Sequence, residues 1–137
     1  MNDSLLLLGV RAAGVFHFVT PVTACFTPIP AGWEKNLAGL PEVHRRFAVA
    51  QNFAIGATIA FCGIVCLGFA PELIAGSTAG GILGAGIAMG WGGRLVILPW
   101  LRGWPELRAP FLRVGCVLLC AACATYRVVF SWLALRR

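Results

Sequence analysis

Four arginines, Arg11, Arg94, Arg113 and Arg127, fall inside or at the margins of long apolar stretches of this chain. Guanidinium stays charged, and its planar fork can grip a carboxylate or phosphate through two parallel hydrogen bonds. None of the five acids shares those stretches: Asp3, Glu34, Glu42, Glu72 and Glu106 all belong to connections or to the N-terminal tail. Because ionisable groups in hydrocarbon are costly, such positions mark function by default. Arg11 and Arg127 are expected in the same half of a membrane, ~10–12 Å below its surface at ~1.5 Å per helical residue. There they either snorkel to Glu72 and lipid phosphates or form a cationic pocket for an anionic headgroup, a carboxylate ligand or a partner's acid. Arg94 and Arg113 are expected near the opposite surface, beside Gln51 and Asn52. They read either as a positive collar pairing with Glu42 and Glu106 or as an anion site.

The histidines bear on cofactor chemistry. His17 falls mid-segment and His44 at a segment boundary, so they are not level and cannot clamp one haem from both sides. A single axial ligand at His17 is compatible with the sequence; a hydrogen bond to a neighbouring helix is the plainer expectation. The six cysteines form stripes, Cys62 with Cys66 and Cys116 with Cys120 and Cys123, with Cys25 ending the first segment. There is no CxxC, and no stripe includes a histidine. In hydrocarbon these thiols are small packing groups, so neither a metal site nor a disulfide is expected. No Ser–His–acid set, paired carboxylates or phosphate loop is evident, and no cofactor is expected.

The elements that carry these residues are four apolar segments, at about Leu5–Thr27, Phe47–Ala70, Leu73–Gly93 and Val114–Leu135. Each has the ~20 residues that a helix needs to cross ~30 Å of hydrocarbon. Apolar residues make up 59% of the 137 and charged residues only 12%, against roughly 45–50% and 25% in soluble domains. The fold class is therefore all-α: a single domain over residues 1–137, a membrane-embedded bundle of four transmembrane helices. The start, Met1-Asn2-Asp3-Ser4, lacks a basic stretch, and Arg11 interrupts the apolar run, so the first segment reads as a retained helix. The net charge of +6 is scattered along the chain, which speaks against nucleic acid and for lipid headgroups as the anionic partner.

Between the first and second segments, Trp33, Leu37 and Leu40 recur at helical spacing around Glu34, Lys35 and Asn36, which predicts a short interfacial helix. The second connection, Phe69–Glu72, predicts a tight hairpin. Five Lys and Arg (Lys35, Arg45, Arg46, Arg102, Arg108) occupy the first and third connections, against Arg136 and Arg137 at the C-terminal tail. That places those connections in the cytoplasm and both termini outward, in a bacterial inner membrane. Trp33, Trp100 and Trp104 would form an inner aromatic belt, with Trp132 an outer anchor. Pro21 is expected to bend the first helix, with Thr20 and Thr23 covering the carbonyl it frees. In the third segment Gly76, Gly80, Gly84, Ala88 and Gly92 repeat every four residues, with Gly86 and Gly90 beside them. This glycine-zipper pattern predicts close backbone packing, either within the chain or in a homo-oligomer.

The stretch Trp33-Glu-Lys-Asn-Leu-Ala-Gly-Leu-Pro41, followed by Glu-Val-His-Arg-Arg-Phe47, resembles a signature of a bacterial family of small four-span proteins. Trp91-Gly-Gly-Arg94 resembles a matching segment in that family's third helix. The resemblance implies architecture and no chemistry. The leading expectation is a non-catalytic accessory or structural subunit of a membrane complex. The alternatives are a binding or transport protein for an amphiphilic anion, and a haem- or pigment-binding redox subunit using His17.

Overall fold

The computed structural model describes residues 2–26, 32–100 and 110–136. Pro28, Pro30, Arg137 and the third connection with Arg102, Trp104, Pro105, Glu106 and Arg108 lie outside the described residues, as do the side chains of Trp33 and Trp100. Six helices follow in order: α1 Asp3–Phe26, α2 Trp33–Ala38, α3 Glu42–Gly68, α4 Ala70–Ile74, α5 Thr78–Trp100 and α6 Pro110–Leu135. Four of them, α1, α3, α5 and α6, are long and apolar enough to cross a membrane. Apolar side chains are exposed on each: Leu5 and Phe16, Phe53 and Phe61, Ile82 and Val96, Leu118 and Val128. Such extensive apolar surface is unfavourable against water and suits lipid, so this is a multi-pass membrane protein in contact with the bilayer.

The short helix expected from Trp33, Leu37 and Leu40 is α2, entered through Gly32 at φ 85 and closed at Gly39. Pro41 accepts from the Arg45 amide, and α3 begins at Glu42, five residues before the expected start. His44, Arg45 and Arg46 therefore belong to the first turns of α3, where Arg46 pairs with Glu42 one turn earlier.

The second connection is longer than its sequence predicted. It runs from Phe69 to Ser77 and contains α4, so the third span starts at Thr78 and not at Leu73. Pro71, with no amide hydrogen, suits the first turn of a helix, and Gly76 takes φ 69, a left-handed conformation that ends α4 cheaply only at glycine. Ser77 then caps α5: its Oγ accepts from the Gly80 amide at 3.0 Å and donates to the Glu72 carbonyl at 3.4 Å. Hydropathy alone runs straight through this corner because Leu73, Ile74 and Ala75 are apolar.

The chain forms two compact units, Leu8–Gly68 and Met1–Leu7 with Phe69–Arg137. In the first, α1 meets α3 through glycine. A Cβ on Gly63 would stand 2.7 Å from the Phe18 ring and 3.1 Å from the Gly14 carbonyl oxygen, and one on Gly14 would stand 2.8 Å from Leu67. Helix α1 stays continuous through Pro21. The Thr20 and Thr23 hydroxyls donate to Phe16 and Val19, each four residues back. Those bonds do not go to His17, whose carbonyl loses its intrahelical donor at Pro21, because a threonine reaches the carbonyl four residues before its own position.

In the second unit α5 and α6 run antiparallel. A Cβ on Gly84 would stand 3.3 Å from the Phe130 carbonyl oxygen, and one on Gly81 3.3 Å from that of Ala134. Phe130, Leu133 and Cys123 of α6 are buried, as are Ile87, Ala88 and Trp91 of α5 and Leu73 of α4. Trp91 packs on Tyr126 with ring centroids 5.0 Å apart. Asp3, in the first turn of α1, meets Arg136 just beyond α6, and Arg136 stacks over Trp132 at 5.5 Å.

A candidate cationic site within the spans

Arg127 lies on α6 between Cys123 and Phe130, one turn from each, on the flank of the face that packs against α5. A helical Cα–Cβ bond tilts toward its own helix's N-terminus. The side chain is therefore directed away from the nearby end of α6 and toward the middle of α5. Its Nη1 donates to the Ala88 carbonyl oxygen at 3.3 Å. Gly92, one turn further along α5, provides the seat: a Cβ there would stand 2.8 Å from Nη1, 3.1 Å from Cδ and 3.3 Å from Cζ of Arg127.

Depth follows from counting residues. Ala88 is the central residue of the Thr78–Leu98 span, about 15 Å from either end at 1.5 Å per residue. Sequence position alone placed Arg127 within snorkelling reach of a membrane surface; the geometry turns the guanidinium the other way. Beside it an open groove of about 230 Å³ is lined by Ala85, Ala88, Met89, Ser131, Ala134 and Leu135 together with Arg127 itself. Arg127, Met89 and Leu135 are exposed and Ser131 is half-buried, so the groove lies at the surface of this unit.

Among the described residues the ion pairs are Glu42 with Arg46 and Asp3 with Arg136. Neither Arg127 nor Arg94 is paired with an acid among them. Arg94, on α5, is half-buried, and its Nε is buried without a hydrogen-bond partner. An orphaned donor of this kind costs on the order of 1–3 kcal/mol. Arg113, in the first turn of α6, is exposed.

The remaining candidates are distributed between the units. Arg11, Gln51 and Asn52 are exposed side chains of the Leu8–Gly68 unit. His17, in the same unit, is fully buried, and its Nδ1 lies 2.6 Å from the Ala13 carbonyl oxygen one turn back on α1. All six cysteines are free thiols, with Cys66 and Cys123 fully buried and Cys25 exposed. Among the described residues no three His, Cys, Asp or Glu side chains converge on a point that could hold a metal ion.

The five-residue glycine pattern serves several local purposes. Gly76 is a turn residue outside α5, and Gly80 lies under the Glu72 carbonyl of α4. Gly84 lies against the Phe130 carbonyl, Ala88 accepts from Arg127, and Gly92 holds its stem. A Cβ on Gly86 or Gly90 would meet nothing within 4 Å. Sequence reasoning missed Ser77 and Ser131. Ser77 carried a usable signal, a Ser immediately before an apolar run; Ser131 carried none beyond its spacing of four from Arg127.

No protein-family model matches this chain, and no curated protein or solved structure matches it either. The segments Trp33–Pro41 and Trp91–Arg94 thus identify no family, and the four-span architecture stands on the helices themselves.

Proposed function

We propose that this chain is a non-catalytic accessory or structural subunit that packs on other membrane proteins as a single functional domain. The observation that carries the reading is a charge imbalance inside the spans. Arg94 and Arg127 are held by α5 and α6, and among the described residues no acid neutralises either. In hydrocarbon the cost of an unbalanced cation is lowered by a counter-charge brought from outside the chain. A subunit whose own fold is incomplete in charge gains stability on assembly.

The excess of Lys and Arg in the first and third connections supports an orientation with those connections in the cytoplasm and both termini outward, in a bacterial inner membrane. The Asp3–Arg136 pair fits a chain whose two ends share one side.

A second reading, binding of anionic lipid headgroups, draws on Arg11, exposed and near the start of α1. Native mass spectrometry after mild extraction separates the two. A second polypeptide in fixed stoichiometry is the outcome the subunit reading requires. A lone chain retaining only phospholipid would overturn it in favour of the second.

A further inference from the structure

The open groove beside Arg127 is lined by that exposed arginine, by the small side chains of Ala85, Ala88, Ser131 and Ala134, and by Met89 and Leu135. We infer that it receives a transmembrane helix of a different membrane protein, one that carries an aspartate or glutamate near the middle of its span. This rests on the subunit reading and specifies the partner's chemistry.

The depth of the charge selects among occupants. Arg127 donates to the carbonyl of Ala88, the central residue of the α5 span. A phospholipid phosphate sits at the membrane surface, about 15 Å from that level in a ~30 Å hydrocarbon layer. Helix direction turns the guanidinium away from the surface nearest to it, so snorkelling does not close the gap. A carboxylate on a spanning helix is at the required depth.

The walls fit a helix as well. Ala85 and Ala88 on α5, with Ser131 and Ala134 on α6, are small enough for another backbone to come close, and close approach is what drives helix association where lipid is as apolar as the side chains. At about 230 Å³ the groove is smaller than the ~300–1,000 Å³ of pockets that enclose drug-sized ligands. It suits one or two side chains from a neighbouring helix.

A second copy of this chain cannot supply the acid. Asp3 and Glu42 stand in the first turns of α1 and α3, Glu34 and Glu72 in the short helices, and Glu106 in the third connection. No span has a mid-depth carboxylate, so the complex is heteromeric at this site.

The test uses the full chain in phosphatidylcholine vesicles, with a fluorescent Leu/Ala helix of about 20 residues as probe, carrying a central Glu, Gln or Leu. Energy transfer to the labelled protein reports association. The Glu helix is expected to bind about 10-fold or more tightly than the Leu helix, the scale of one charge-assisted hydrogen bond. Arg127→Gln should abolish the preference and Arg127→Lys should keep part of it. Ala85→Leu, which keeps the charge and fills the groove, should weaken binding of the Glu helix.

Equal binding of the Glu and Leu helices would overturn the inference, as would a preference that survives in Arg127→Gln. Displacement of the Glu helix by phosphatidylglycerol would also overturn it and assign the groove to lipid. Native mass spectrometry of the same variants distinguishes the two levels of the argument. A partner chain retained by Arg127→Gln leaves the subunit reading standing without this site, whereas no partner on the wild-type chain removes the subunit reading itself.

Discussion

Gly80 lies directly beneath the carbonyl of Glu72: a Cβ at position 80 would overlap that oxygen and stand 2.8 Å from its carbon. Both atoms are backbone, so neither can rotate aside. Gly80→Ala should therefore push α4 off the start of α5, at a cost of about 1–3 kcal/mol, the range for forcing a methyl group into a packed site. Gly86→Ala, where nothing lies within 4 Å, should be neutral or slightly stabilising, because alanine favours helix. Thermal unfolding of both variants in detergent measures the difference, and equal midpoints would refute the packing argument.

Ser77 supports the same corner through chemistry. Its hydroxyl accepts from the Gly80 amide and donates to the Glu72 carbonyl. Ser77→Ala should cost roughly 0.5–2 kcal/mol, the range for loss of an N-cap, and Ser77→Asp should recover part of that loss. Recovery by Asp distinguishes capping from packing, since Asp can accept from the amide but is larger than Ser.

The contact of Gly84 with the Phe130 carbonyl fixes how closely α5 and α6 approach. Gly84→Leu should separate the two helices and, with them, Ala88 from Arg127. Its effect should accordingly appear both as a loss of stability and as faster amide exchange at the middle of α6. A stable Gly84→Leu protein with unchanged exchange would show that these backbones are not held together at this point.

Asp3 and Arg136 come from opposite ends of the sequence and meet at 3.1 Å, with the aspartate side chain largely exposed. Exposed pairs contribute only about 0–1 kcal/mol. Asp3→Asn should lower the unfolding midpoint slightly at low salt. Above ~0.5 M salt, where screening lengths fall to a few ångströms, the difference should vanish. A salt-independent loss would point to the helix N-terminus and not to the pair.

What could be read from the sequence divides by physical cause. The four spans and α2 follow from the length and period of apolar runs, which are local properties. The corner at 69–77 does not, because Leu73, Ile74 and Ala75 continue the apolar run while Pro71, Gly76 and Ser77 turn it. The absence of acids from the middle of the spans was legible from residue types alone, although Asp3 and Glu42 prove to stand in the first turns of α1 and α3. Which arginine is turned toward the middle of a neighbouring helix was not. Arg11 and Arg127 look equivalent by distance from a helix end, yet the direction of the Arg127 side chain and the missing Cβ of Gly92 place its charge against Ala88. Gly92 looked like one member of a periodic packing stripe; its use as a guanidinium seat depends on a residue 35 positions away.

The crossing of α1 and α3 offers a test of the same kind in the other unit. A Cβ on Gly63 would meet the Phe18 ring at 2.7 Å and the Gly14 carbonyl at 3.1 Å. The ring edge is the far end of a side chain and can give way, whereas the carbonyl belongs to the helix and cannot. Gly63→Ala should therefore destabilise by about 1–3 kcal/mol, and combining it with Phe18→Leu should relieve only the part due to the ring. A double-mutant cycle of Gly63→Ala and Phe18→Leu should accordingly show coupling of about 0.5–1.5 kcal/mol with a residual cost in the double variant. Complete relief would assign the whole conflict to Phe18 and leave room at the backbone. No coupling at all would mean that Phe18 does not cover Gly63 when the chain is in the membrane.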